Sequence, residues 1–174
     1  TVSSIVMDTL NRLWIGTEEG VSVKTGLNWQ LLTSAVLPSN KVSAMTALTS
    51  GKIAVATDLG VAIVEQSSNG TYSATTYTKQ NTSNGLLNNN VTAIPEDSSE
   101  NLWVGTQFGI SKFDGTTWTK YTVSNTTGLA SNDIRSFWET PDGSILVATA
   151  FGLTEFDTAG GVTHLYSANG LAEN

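Results

Sequence analysis

An all-β chain of four tandem, four-stranded antiparallel blades is what this sequence predicts, and three observations predict it. The segment Leu13-Trp14-Ile15-Gly16-Thr17-Glu18-Glu19-Gly20-Val21 returns as Leu102-Trp103-Val104-Gly105-Thr106-Gln107-Phe108-Gly109-Ile110, and two weaker copies run from Ile53 to Val61 and from Ile145 to Leu153. Counted between Thr17, Thr57, Thr106 and Thr149, the period is roughly forty to fifty residues, the length of one propeller blade. Gly, Ser, Thr and Asn dominate, and only 13% of the 174 residues are charged, a mix that favours strands and turns. The expected architecture is therefore a β-propeller, with blades at 1–40, 41–89, 90–132 and 133–174.

Each element of the unit has its own signal. In the third unit the four strand-like runs are Val91 to Pro95, Leu102 to Thr106, Ile110 to Phe113 and Trp118 to Thr122. The first strand carries Val2, Val42, Val91 and Ile134, followed two positions later by the small residues Ser4, Ala44, Ala93 and Ser136. Small side chains at one fixed point let neighbouring sheets converge, so this strand is assigned to the axis. Between second and third strands stand Gly20, Gly60, Gly109 and Gly152, whose recurrence reads as a backbone requirement and not as ligand chemistry. Asp114-Gly115 marks the next hairpin. The stretch from Gln66 to Asn90 is the longest and most polar of any unit. It predicts an extended hairpin in the second blade, a place where a partner could touch.

The Val-x-x-Ile strand, Leu-Trp-Val-Gly-Thr, Gly-Ile, Phe-Asp-Gly, Trp, Tyr and Gly-Leu of the third unit resemble the two-component regulator propeller repeat of bacterial sensor proteins. The resemblance covers the whole chain. It is diluted in the second and fourth units, where Trp gives way to Ala54 and Leu146, and Gly to Ala56 and Ala148. The resemblance implies the propeller fold and suggests a periplasmic sensor that detects glycans, although the fold by itself names no ligand.

The dilution is regular. Trp occupies the second strand at Trp14 and Trp103 and the fourth at Trp29 and Trp118, and neither place holds Trp in units two and four. A two-blade ancestor duplicated once gives this alternation. An indole wedged between sheets hides ~150 to 250 Å² and contributes at most ~4 to 6 kcal/mol before entropy is subtracted, so blades one and three are expected to be the sturdier. The linkers Leu37-Pro38-Ser39-Asn40, Leu86-Leu87-Asn88-Asn89, Leu129-Ala130-Ser131-Asn132 and Leu171-Ala172-Glu173-Asn174 recur in step, and Thr1-Val2 fits the slot after Asn174. This register leaves three arrangements open: four blades closed alone, half of a two-chain eight-bladed ring, or part of a larger propeller. No exchange of terminal strands is visible, which favours a homo-oligomer or further blades of a longer chain. The first residue is Thr1, as expected for a processed product, an excised domain or part of a longer chain.

Composition narrows the function. Eight Lys plus Arg against fifteen Asp plus Glu give a net charge of -7, which opposes nucleic-acid binding. No apolar run in these residues is long enough to cross a bilayer, and none reads as a signal peptide, so a leader already removed is the expectation that fits the start at Thr1. Without cysteine, disulfides, thiolate metal sites and cysteine nucleophiles are excluded. His164 is the sole histidine and is expected on an outermost strand, so neither a Ser/His/Asp triad nor a zinc site is expected. No cofactor is expected either. A Ser/Thr/Asn-rich, acidic chain fits an exported bacterial protein, periplasmic or extracellular.

The candidate ligand-binding residues are Glu18, Glu19, Asp58, Gln107, Phe108 and Phe151, all in turns between second and third strands and so on one rim. Acids beside exposed aromatics can hold a sugar by stacking and hydrogen bonding, or a cation; the plain alternative is that these turns are polar because they are wet. On the opposite rim, Asp97-Ser98-Ser99-Glu100-Asn101 and Thr140-Pro141-Asp142-Gly143 lack the alternating acids of a calcium loop and read as ordinary turns. Asn-x-Ser/Thr triplets at Asn69, Asn81, Asn90 and Asn125 would matter only with eukaryotic secretion. The expected function is a non-catalytic recognition module for a small glycan or a protein ligand. A structural or assembly protein of the cell surface is the alternative, and a lyase or hydrolase using rim carboxylates stands third.

Overall fold

A computed structural model describes residues 1–167, and these form sixteen strands in four sheets. Blade 1 is β1 (Val2–Met7), β2 (Leu13–Thr17), β3 (Gly20–Thr25) and β4 (Asn28–Leu32); blade 2 is β5 (Val42–Ala47), β6 (Ile53–Thr57), β7 (Gly60–Gln66) and β8 (Tyr72–Tyr77). Blade 3 is β9 (Val91–Ala93), β10 (Leu102–Thr106), β11 (Gly109–Phe113) and β12 (Trp118–Tyr121); blade 4 is β13 (Ile134–Glu139), β14 (Ile145–Thr149), β15 (Gly152–Phe156) and β16 (Val162–Leu165). In every sheet the strands pair antiparallel in chain order, so no strand is exchanged between blades. The last linker, Leu171 to Asn174, lies outside the described residues.

The first strand of each blade is innermost, because β1 lies against β5, β5 against β9 and β9 against β13. Each of these strands carries one register shift, between Val2 and Ser4, Val42 and Ala44, Val91 and Ala93, and Ile134 and Ser136. The extra residue bends the strand and frees its side chain. At two junctions that side chain stitches blades together: Ser43 Oγ donates to the Val91 carbonyl at 2.6 Å, and Thr92 Oγ1 to the Ile134 carbonyl at 2.7 Å. β9 stops at Ala93, short of the expected Pro95. Proline has no N–H to give the ladder, and beyond it only a single bridge, Glu96 to Leu102, continues the pairing.

The extended hairpin of blade 2 is present, with seven residues in β7, six in β8 and the turn Ser67 to Thr71 between them. Each hairpin between second and third strands follows one plan. Thr17, Thr57, Thr106 and Thr149 donate Oγ1 to the carbonyl of the glycine three residues on, at 2.9 Å in each case. The glycine must be glycine: Gly109 has φ +120°, and a Cβ there would sit 2.4 Å from the Tyr121 carbonyl oxygen.

The apolar core lies between blades, not within them. One cluster joins blades 1 and 2 through Trp14, Val23, Val42, Val55, Val64 and Tyr72. A second joins blades 2 and 3 through Ala54, Ala56, Val61, Val91, Ile94 and Val104, and a third joins blades 3 and 4 through Trp103, Ile110, Ile134, Val147 and Phe156. Among the described residues no cluster joins blade 4 to blade 1. Val42, Val91 and Ile134 are buried against the preceding blade, whereas Val2 in the same place is 56% exposed. The four blades are an open arc, and the ring of four blades closed alone is not the arrangement adopted.

That openness corrects one expectation about the tryptophans. Trp14 and Trp103 are buried, and Trp118 is half-buried, stacked on Phe113 at 4.7 Å and edge-on to Tyr77 at 5.6 Å. Trp29 is instead 57% exposed: it stands on the outermost strand β4, paired with Lys24 and so, by register, on the same sheet face as Leu13, which no other blade covers, and it also borders the space beside blade 2. Its one ring contact is Lys24, whose ammonium lies 5.6 Å from the ring centre.

Candidate functional site

The two ends of each sheet carry different chemistry. Turns between second and third strands gather on one rim, and there Glu18, Glu19, Gln107, Phe108 and Phe151 are exposed and Asp58 is half-buried. These turns line none of the cavities described below. Asp58 keeps one enclosed carboxylate oxygen without a hydrogen-bond partner, as does Asp133. His164 sits on outermost β16, with Nε2 3.0 Å from the Phe151 carbonyl oxygen. Asn69, Asn81 and Asn125 use their side-chain oxygens to hold turns, accepting from the amides of Thr71, Thr78 and Thr122 at 2.7 to 3.0 Å.

The opposite rim, made by turns between first and second and between third and fourth strands, holds features the sequence reading missed. Asp97 ends the first strand region of blade 3 and folds its carboxylate inward, accepting from the Trp103 indole at 2.8 Å, the Asn101 amide at 2.8 Å and the Ser99 amide at 3.0 Å. Lys112 Nζ stands 3.7 Å away and 4.8 Å from the Trp103 ring centre. Blade 1 repeats the device: Asp8 accepts from the Trp14 indole and the Arg12 amide, both at 2.8 Å, and pairs with the Arg12 guanidinium. The Asp97 loop is a turn, as expected, but its carboxylate serves a buried indole. The missed signal was an Asp six residues before each second-strand Trp. Where Trp is lost, Asp is lost with it, leaving Leu48 with Ala54 and Thr140 with Leu146.

Burial alone would raise the Asp97 carboxyl, yet the Trp103 indole, the Asn101 amide and side chain, and the Lys112 charge together hold it below the usual range. Burial likewise works against the Asp8 anion and is outweighed by the Arg12 amide, the Trp14 indole and the Arg12 guanidinium. Tyr72 and Tyr121 are pushed up by burial. Near neutrality the two aspartates are fixed anions and the two tyrosines stay neutral, so none of the four is poised to exchange protons there.

One cleft between blades is lined by the Asp97–Trp103 pair, and a second is lined by Arg12 and Tyr72, which contact Trp14 of the other pair. The cleft between blades 3 and 4 has a volume of about 390 Å³ and is lined by Asn101, Trp103, Lys112, Tyr121, Phe156 and the Asp157 to Gly161 turn among others. Trp103 stacks on Tyr121 at 5.9 Å, and Phe156 meets both rings edge-on at 5.3 and 5.0 Å. The cleft between blades 1 and 2, about 380 Å³, is lined by Arg12, Asn28, Trp29, Gln30, Gln66 and Tyr72 among others. Its Arg12 guanidinium lies between the Trp14 and Tyr72 rings, at 5.5 and 5.7 Å from their centres, and donates to Gln66 and to the Tyr72 hydroxyl. Aromatic floors walled by amides and charges suit a polar ligand with flat apolar faces. Among the described residues no cluster of His, Cys, Asp and Glu has metal-binding geometry, and no helix is long and apolar enough to cross a membrane.

Residues 85–108 match the family model described as two component regulator propeller. No curated protein matches the chain in sequence. Among solved structures the chain is similar to the extracellular domain of a hybrid two-component system from B. thetaiotaomicron, with a TM-score of 0.78 and 21% identity over 99% of this chain and 23% of that one. It is also similar to PorZ, a bacterial surface component of the type-IX secretion system of Porphyromonas gingivalis, with a TM-score of 0.70 and 20% identity over 92% of this chain and 26% of that one. Virginiamycin B lyase from Staphylococcus aureus is similar with a TM-score of 0.68 and 13% identity, over 94% of this chain and 55% of that one. The chain spans about a quarter or less of the extracellular sensor-system domain. Identities of this size carry the fold alone, and the fold they carry is a β-propeller.

Proposed function

We propose that this chain is the ligand-holding part of an exported bacterial sensor propeller, periplasmic or extracellular, which binds without catalysis. The observation that carries this reading is a pair of clefts of similar volume on the same rim at the first and third blade junctions, one lined by the Asp97-anchored Trp103 with Lys112 and Tyr121, the other by Arg12 and Tyr72, which contact the Asp8-anchored Trp14. The aromatic floor suits the flat face of a sugar ring, and Lys112, Asn101, Gln66 and Asn28 supply donors and acceptors for hydroxyls. A small glycan is therefore the ligand class favoured, with a protein loop of similar chemistry as the other occupant.

The non-catalytic reading is supported by the state of the acids. Asp97 is saturated by donors, and Asp157 Oδ1 accepts from the amides of Ala159 and Gly161 at 2.9 and 2.7 Å. The Asp97 carboxyl is held below its usual range, the opposite of the raised carboxyl that general-acid chemistry on a glycosidic bond requires. The opposite rim remains the second place for a ligand, with Phe108 and Phe151 as stacking platforms and Glu18, Glu19, Asp58 and Gln107 as polar partners. One experiment separates the two. Oligosaccharides that bind on an array are titrated into the native chain, Lys112→Ala and a Phe108→Ala/Phe151→Ala double variant. A loss of about tenfold or more in the Lys112 variant alone supports the clefts. The same loss in the double variant alone moves the site to the turn rim, and depletion of intact oligosaccharide during titration would replace binding by turnover.

A further inference from the structure

The two ends of the arc carry, position by position, the two sides of the pattern found at the junction of blades 2 and 3. At the junction of blades 2 and 3, blade 3 offers Val91, Ile94, Leu102, Val104, Phe113 and Trp118 to the small residues Ala44, Ala54 and Ala56 and to Val61 and Ile63 of blade 2. By register, blade 1 offers Val2, Ile5, Leu13, Ile15, Lys24 and Trp29 in those places. Val2, Ile5 and Trp29 are exposed there, Ile5 by 65%, and Leu31 beside them is exposed too. Blade 4 matches the other half with Ser136, Leu146, Ala148, Leu153 and Glu155, and an exposed Trp138 stands next to them. Of these, Ser136, Trp138, Leu146, Ala148 and Leu153 line, with Phe137, a shallow apolar groove of about 220 Å³.

Two features select the occupant. The tryptophan alternation requires a blade of the Trp14 and Trp103 type after one of the Ala54 and Leu146 type, and blade 1 is that type whereas blade 4 is the other. Where Ile63 and Phe113 pack into the same core at the internal junction, the ends instead carry Glu155 and Lys24, opposite charges at the equivalent positions. Exposed apolar sheet faces of this size mark contact surfaces, and charges so placed fix register. We infer that blade 4 of one copy packs on blade 1 of a second copy, head to tail, reproducing the junction of blades 2 and 3 with a Lys24–Glu155 ion pair in place of Ile63 and Phe113. Such a contact closes into a ring or extends into a filament according to its rotation. It is independent of what the clefts bind.

Sedimentation of the 174-residue chain across a concentration series tests this, alongside Lys24→Glu, Glu155→Lys and the double swap, with circular dichroism to show that each is folded. Head-to-tail packing predicts that the native chain sediments at twice its 18.4 kDa mass or a higher multiple. Each single reversal should weaken association by about tenfold, and the double swap should restore it. A native chain that stays monomeric at high concentration overturns the inference and leaves both faces to other blades. Association that survives the single reversals, or that the double swap fails to rescue, overturns head-to-tail pairing as well.

Discussion

Asp97 shows how one residue can hold a junction. Its carboxylate accepts the Trp103 indole and two backbone amides at 2.8 to 3.0 Å, so the indole is anchored where blade 4 packs on it. Hydrogen bonds to a buried charge are worth roughly 1.5 to 3 kcal/mol each when one partner is removed. Asp97→Asn should therefore lower stability by about 2 kcal/mol in urea denaturation at pH 7, and combining it with Trp103→Phe should cost less than the sum of the two. The pH dependence follows from the depressed carboxyls of Asp8 and Asp97. Because the folded state favours the anion, their contribution is complete above the unfolded pKa of about 3.9 and is lost as pH falls through the lower folded values. The native chain should thus lose stability below about pH 4 more steeply than Asp8→Asn/Asp97→Asn. At this scale the sequence was only partly legible: the recurring Thr and Gly announced their turns, whereas the pairing of Asp with Trp is visible only once the indole is seen to need an acceptor.

Blades follow the repeat closely because each strand obeys a local rule. Period-two alternation, Gly at positive φ and Asp114-Gly115 set the strands and hairpins without help from the rest of the molecule. What the repeat did not show is which face of a strand would be covered. Gly105 illustrates the consequence: a Cβ there would lie 2.7 Å from Ile134 Cγ2 and 2.9 Å from Phe137 Cε2, while Ala56 and Ala148 hold a methyl at the equivalent position. Gly105→Ala is expected to destabilise the junction of blades 3 and 4 by about 1 to 3 kcal/mol through overpacking. Gly109→Ala should cost at least as much for a different reason, since it adds a side chain at φ +120° against a carbonyl. Thermal denaturation of the two variants checks both values. The expectation that blades 1 and 3 are sturdier becomes a statement about junctions, because Trp14 and Trp103 are buried against the blades that follow them.

For the whole molecule, the repeat number was written in the sequence, but closure was not, because closure depends on the angle between sheets and that angle is set by packed side chains. Acids and aromatics make the turn rim, with Glu18, Glu19, Phe108 and Phe151, conspicuous in the chain. The clefts escaped notice because their walls come from neighbouring blades, tens of residues apart, as with Arg12 and Gln66 or Trp103 and Phe156. The central claim is an open arc of four blades held by three inter-blade cores. Hydroxyl-radical footprinting of the dilute chain, read at each tryptophan by mass spectrometry, tests it most directly. The account predicts fast oxidation of Trp29 and Trp138 and slow oxidation of Trp14 and Trp103, with Trp29 and Trp138 becoming protected as concentration rises. Protection of Trp29 and Trp138 in the dilute monomer would mean that blade 4 already packs on blade 1, and would contradict the open arc.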